Sequence, residues 1–201
     1  MGFLCEKECD RIKQEFYLYI QGEIHMIKIL FAASEAVPFI KTGGLAAVVG
    51  SLPKYFDQEK YDVRVMVPKY LCIRPELREK MKFVDKFYVK MNWRTQYVGI
   101  DEMEFDGVKY YFIDNEYYFA GPKPYGEMYQ DSEKFAYFSR AVLEALPVIG
   151  FQPDLIHCHD WQTGLIPVHL KVDYKDHEFY KNIKTVMTIH NLKFQGRWIM
   201  S

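Results

Sequence analysis

Cysteine is scarce in this chain. Cys5, Cys9, Cys72 and Cys158 are scattered, with neither paired metal-site spacing nor the density of a disulfide framework. A reducing, cytoplasmic setting is therefore the expectation. Long apolar runs are missing too: none approaches the roughly 20 residues that a membrane-crossing helix needs. The N-terminal "MGFLCEKECDRIKQEF" mixes acids and bases and has no signal-peptide core. Charge of one sign is not in excess, with a formal net charge of −1. No global field draws nucleic acid or an anionic membrane to such a chain. There is no internal repeat and no low-complexity tract.

What the chain does have is rings. Its 16 Tyr and 15 Phe bring the aromatic fraction to 17%, which points either to a ring-rich core or to a cleft that stacks on sugars. The 201 residues suit one domain with room for an appendage. Residues 1–26 read unlike the rest, and Met26 stands directly before the first strand pattern, so 1–26 is expected to be an appended leader and 27–201 the folded domain.

From Ile27 onward strand and helix patterns alternate. "IKILFAA" is the continuous apolar run of a parallel strand buried on both faces. "LAAVVGSLPKYF" follows with helical spacing, and "YDVRVMVPKY" is a strand stopped by Pro68. "KFVDKFYVKMNW", "QYVGIDEMEFDG" and "VKYYFIDNEYYF" read as three successive strands, the last two joined by a hairpin turn at Asp106-Gly107. "DSEKFAYFSRAVLEALPVIG" is a helix with Asp131 or Ser132 as its N-cap and Gly150 as its stop. "DLIHCH" and "KTVMTIHN" are strands, separated by a helix, "WQTGLIPVHLKV", that Pro167 breaks. The order implies an α/β fold: a Rossmann-like three-layer sandwich with a mostly parallel sheet and a β-hairpin insertion.

Open parallel sheets bind ligands beyond the carboxyl ends of their strands. That rule selects Ser34 to Gly44, Gly121 to Asp131, His157 to Thr163, and His190 to Gly196, where the polar residues of chemical interest fall. In "SEAVPFIKTGGLA", Lys41, Gly43 and Gly44 stand at a helix N-terminus, where unpaired N–H groups favour anions. The motif is neither G-x-G-x-x-G nor a Walker loop, so a tight turn with a solvated lysine stands beside the anion-binding reading. In "IHCHDWQTGL", His157 and His159 share one strand face. With Asp160 they invite a metal reading, against which stands an ordinary hydrogen-bonded core histidine. Asp160 beside Trp161 suits a hexose, by hydrogen bonds to hydroxyls and stacking on the ring. His190 ends a buried strand, where imidazole can bond a hydroxyl or move a proton.

"KILFAASEAVPFIKTGGLA", "VVGSLPK", "PDLIHCHDWQTGLIPVHLK" and "TIHNLKFQG", with the spacing between them, resemble the N-terminal half of bacterial and plant glycogen/starch synthases. The resemblance runs from about Ile27 to Trp198. It implies a GT-B-type glycosyltransferase, two Rossmann-like domains facing across a cleft, of which this chain is the N-terminal, acceptor-side half. The implied reaction transfers glucose from ADP-glucose (UDP-glucose in some members) to the non-reducing end of an α-1,4-glucan with retention, using no metal or other cofactor. Carried onto matching positions, His190 and Asp160 stand at the reacting sugar. Lys41, Thr42, Gly43 and Gly44 serve the donor, and Glu35, Trp161, Asn191 and Tyr125 line the donor and acceptor sites. Two departures stand out. The family pattern is "KTGGLADVVG", with an aspartate where this chain has Ala47. The family's C-terminal domain, which neutralises the leaving diphosphate, has no counterpart up to Ser201, so the chain alone is expected to be inactive. A non-catalytic α-glucan-binding module is the alternative.

Overall fold

A computed structural model describes residues 26–92 and 94–192; apart from Met26, the expected leader lies outside them. Seven strands form one sheet: β1 (Ile27–Ala32), β2 (Tyr61–Pro68), β3 (Lys82–Met91), β4 (Arg94–Phe105), β5 (Val108–Asp114), β6 (Leu155–His159) and β7 (Lys184–Thr188). Their order is β3-β4-β5-β2-β1-β6-β7. Strands β5, β2, β1, β6 and β7 run parallel, while β4 lies antiparallel to both β3 and β5. The expected hairpin at Asp106-Gly107 is present, with φ of 49° and 74°, the positive values a type I′ turn requires.

Alternation along the strands assigns the two faces. On one, Phe31 of β1 meets Phe56, and Phe39 packs edge-on against Tyr110 and Phe112 of β5. Helix α1 (Gly44–Ser51) and the 3-10 turn Leu52–Tyr55 belong to this layer. On the other face, Arg64 of β2 lies 4.1 Å over the ring of Phe151, just past the long helix α4 (Met128–Val148). Helix α4 buries Phe135, Phe138, Val142 and Leu146. The result is the three-layer α/β sandwich. Phe31, Phe112, Phe119, Phe135, Phe138, Tyr110 and Tyr137 are almost wholly enclosed, so the abundance of rings is chiefly a property of the core.

Several elements differ from expectation for identifiable reasons. "EYYF" continues no strand; it is the short helix α3 (Glu116–Phe119), which buries Tyr118 and Phe119. A further one-turn helix, α2 (Pro75–Arg78), opens on a proline whose missing N–H costs nothing there. Helix α4 begins at Met128, not at Asp131 or Ser132. Asp131 Oδ2 instead accepts the N–H of Gly126, 2.9 Å away, tying the preceding loop to the first turn. Gly150 does stop α4: its φ is 61°, and the amides of Gly150 and Phe151 bond back to Pro147 and Leu146 as in a Schellman ending. Pro147 frees the carbonyl of Leu143, and the Tyr180 hydroxyl donates to it at 3.0 Å. Pro167 does not break its helix. The chain makes a 3-10 turn at Trp161–Thr163 and then α5 (Leu165–Val172), with Pro167 in a first turn whose amides lack intrahelical partners anyway.

Candidate functional site

β1, β6 and β7 are adjacent and parallel, with Ala32 opposite Cys158 and His159 opposite Thr188. Their carboxyl ends therefore open at one sheet edge. Ser34 and Glu35 follow β1, Asp160 and Trp161 follow β6, and His190 and Asn191 follow β7. Topology alone brings these segments together.

Glu35 is 2% exposed, and both of its carboxylate oxygens are engaged within the chain. Oε2 accepts the backbone N–H of Thr42; Oε1 accepts the Thr42 hydroxyl at 2.7 Å and the Tyr125 hydroxyl at 2.5 Å. The Tyr125 hydroxyl is also 2.8 Å from Ser34 Oγ. Burial, then the Glu35 carboxylate, raises the Tyr125 phenol far above its ordinary range, so it stays protonated and donating. Glu35 thus fastens the "KTGG" loop to the end of β1. Sequence reasoning named Glu35, Thr42 and Tyr125 but not this mutual bracing, because Tyr125 arrives from a loop 90 residues away.

Lys41, Thr42, Gly43 and Gly44 are exposed at the start of α1. Gly43 occupies the N-cap position in extended conformation, no side chain caps the helix and its first turn carries no acid. A Cβ on Gly43 or Gly44 would meet nothing within 4 Å, so the space in front of the loop is open. Helix amides that no side chain caps, an exposed lysine and open space form a cradle suited to an anion. Gly50 has the opposite surroundings: a Cβ there would lie 2.4 Å from the Val37 carbonyl oxygen, showing how closely α1 is pressed onto the Ser34–Ile40 segment.

Asp160 is buried and has φ of 58° with ψ of −177°, a positive-φ conformation that costs a non-glycine residue energy. Its amide donates to the Thr188 carbonyl, and its Oδ1 accepts the backbone N–H of His190 at 2.7 Å. Asp160 therefore pins the end of β7 to the end of β6. Trp161 is half-buried, edge-on to Phe135 at 5.3 Å, and Phe135 in turn contacts Tyr125 at 5.9 Å. Through these rings the Asp160 and Glu35 clusters are connected.

His157 and His159 do share a face, with ring centroids 4.1 Å apart. His157 Nε2 bonds Thr188 Oγ1 at 2.7 Å, and His159 Nδ1 bonds His190 Nε2 at 2.9 Å. Burial, then the neighbouring histidines, holds the His159 imidazole down to about 3; burial also lowers His157. Both rings are neutral at pH 7. Among the described residues no group of three or more His, Cys, Asp or Glu side chains is arranged to hold a metal ion. Asn191 is exposed beside His190, and the part of the fourth segment beyond Leu192 lies outside the described residues.

One feature escaped the sequence reading. Lys134, 8% exposed, donates to the Pro124 carbonyl at 2.7 Å and lies 2.6 Å from Asp131 Oδ1. Through the Pro124 carbonyl and the Gly126 amide these two side chains hold the Gly121–Glu127 loop, and with it Tyr125, against α4. Its only sequence signal is an Asp and a Lys three residues apart on an otherwise apolar helix face.

Residues 28–201 match the family model described as "Starch synthase catalytic domain". The chain belongs to that family. Within the starch synthase family it is 65% identical over 173 residues to the glycogen synthase of Lachnospira eligens, a match covering 86% of this chain and 36% of that protein. It is 57% identical over 170 residues to the glycogen synthase of Geobacillus thermodenitrificans, covering 85% of this chain and 35% of that one. The solved catalytic domain of Starch Synthase IV from Arabidopsis thaliana, bound to ADP and acarbose, superposes with a TM-score of 0.69 at 29% identity, covering 85% of this chain and 35% of that one. The chain thus spans about a third of the length of the curated relatives it matches, and corresponds to their N-terminal part. The fold is that of the N-terminal half of a GT-B glycosyltransferase. Among the described residues no helix is long and apolar enough to cross a membrane.

Proposed function

We propose that residues 27–201 form the acceptor-side half of an enzyme that moves glucose from ADP-glucose to the non-reducing end of an α-1,4-glucan with retention, in the cytoplasm. The observation that carries this reading is the convergence of the open "KTGG" cradle, Asp160-Trp161 and His190 on one sheet edge, in a family member 65% identical to a glycogen synthase. In this reading Lys41 and the amides at Gly43 and Gly44 meet the donor's phosphates. His190 and Asp160 stand at the transferred glucose, and Trp161, Asn191 and Tyr125 line the glucosyl and acceptor region. Glu35 acts one step back, by holding Thr42 and the loop in place. The solved relative's ADP and acarbose fit the same pairing of nucleotide and glucan.

Stabilising charge on the leaving group is commonly the largest catalytic contribution, and the resemblance assigns that task to the partner domain of the same enzyme. The chain by itself is therefore expected to incorporate no radiolabelled glucose from ADP-glucose into glycogen; robust incorporation would defeat this part of the reading. To test the site, residues 28–201 replace the matching segment of the Lachnospira eligens enzyme. Lys41→Ala or His190→Ala in that chimera is expected to lower kcat/KM by about a hundredfold or more, as removal of one preorganised charge-stabilising group does. Near-wild-type turnover in both variants would remove them from the site. Ala47→Asp, which restores the family carboxylate, is expected to raise kcat/KM, a charged hydrogen bond being worth about 1.5–3 kcal/mol.

A further inference from the structure

His159 has no part in the function proposed above, yet it is the most enclosed histidine in the site: 0% exposed, at the carboxyl end of β6. Phe31 of β1 stacks on it at 5.3 Å, and the His157 ring lies 4.1 Å away along its own strand. The His190 ring lies nearly parallel to it, 17° off at 5.2 Å, with His159 Nδ1 2.9 Å from His190 Nε2. The other ring nitrogen, Nε2, is sealed from water and has no hydrogen-bond partner among the described residues.

That asymmetry decides where the protons sit. A neutral imidazole carries one N–H and one lone pair. Were the His159 proton on Nε2, a buried N–H would be orphaned, and buried donors without acceptors are rarer than under-used acceptors. With the proton on Nδ1, the N–H is bonded and only a lone pair is left unused. Burial and the two flanking histidines keep the ring from taking a second proton near neutral pH. His190 Nε2 must then accept, which leaves Nδ1 to carry the N–H of His190.

We propose that His159 is a positioning residue whose Nδ1–H donates to His190 Nε2 and thereby fixes His190 as the Nδ1–H tautomer, a hydrogen-bond donor to a hydroxyl of the bound sugar. The last clause rests on the reading of His190 given above; the tautomer itself does not. The arrangement is sharpened by Asp160, whose Oδ1 fixes the His190 backbone N–H.

The test is long-range proton–nitrogen correlation NMR on the histidine-labelled chain, without sugar and near neutral pH. Expected in the wild-type chain is a protonated Nδ1 and an unprotonated Nε2 on both His159 and His190. A free imidazole side chain prefers the other tautomer, so His159→Phe is expected to reverse the major form of His190 to Nε2–H. His159→Asn, whose amide nitrogen takes the place of Nδ1, is expected to retain the Nδ1–H form. Nε2–H on His190 in the wild-type chain would overturn the proposal by itself, even if the Phe variant failed to fold. An unchanged Nδ1–H form in a folded His159→Phe chain would overturn it equally. Because no sugar is present, a negative result here is distinguishable from failure of the glucosyl reading, which the chimera's kinetics decide.

Discussion

At the scale of single residues, the chain commits several polar groups to holding one another and not to waiting for a ligand. The Tyr125 hydroxyl is the clearest case, since it serves both Ser34 and Glu35 and leaves the ring as the part that can line a sugar site. Tyr125→Phe removes a donor to a buried carboxylate and is expected to cost about 1–3 kcal/mol, read as a lower urea midpoint. Gly50→Ala would force a methyl against the Val37 backbone and is expected to destabilise by about 1–3 kcal/mol in the same measurement. The two neutral histidines of β6 give a pH dependence with a definite sign. In the unfolded chain a histidine binds its proton near pH 6.5, whereas folded His159 does so only near 3 and His157 below its ordinary value. Below pH 6.5 the unfolded state therefore holds more protons, and stability present above that pH is lost as pH falls. For His159 the slope approaches about 1.4 kcal/mol per pH unit, and His157 adds to it in the same direction. Urea midpoints between pH 7 and 5, above the main carboxylate range, should show the decline, and His159→Asn should flatten it.

At the scale of elements, α4 is the member that organises the site from behind. Its first two turns hold the Gly121–Glu127 loop through Asp131 and Lys134, and its last turn ends on the Gly150 motif while Tyr180 covers the carbonyl freed by Pro147. Lys134→Met would leave the enclosed Asp131 without its cationic partner, which costs about 3–5 kcal/mol when a buried pair is broken from one side. Chemical denaturation should show that loss, whereas substituting the exposed pair Lys181–Glu178 should change stability by under about 1 kcal/mol. Much at this scale was legible beforehand. The alternation of patterns, the Asp106-Gly107 turn and the Gly150 stop each depend on neighbouring residues, and each is present. The element ends that differed were decided at longer range: Asp131 bonds the loop before it, and "EYYF" coils because Tyr118 and Phe119 find a buried place as a helix.

For the whole molecule, the described sheet has two unlike margins. β3 is covered on one side by its hairpin partner and carries Lys82, Lys86 and Lys90, charges that discourage edge-to-edge pairing. β7 pairs only with β6 among the described residues, and Val186, Met187 and Ile189 there are about half exposed, as are Val168 and Val172 on α5. An apolar edge of this kind favours association. Sedimentation at rising concentration is expected to show self-association of the isolated chain, and Val186→Lys to suppress it; a concentration-independent monomer would show that the edge is tolerated bare.

Fold class and the parallel core strands were determined by sequence, because apolar period, turn chemistry and capping are local. So was kinship, through motifs that keep their spacing over most of the chain. The roles inside the site were not. That Glu35 braces a loop, that Asp160 pins His190, and that His159 faces His190 depend on contacts between residues 30 or more positions apart. A strand's period tells which face a side chain takes, but only sheet order tells which strand lies beside it. Here the adjacency of β1, β6 and β7 turned separate polar residues into a connected network.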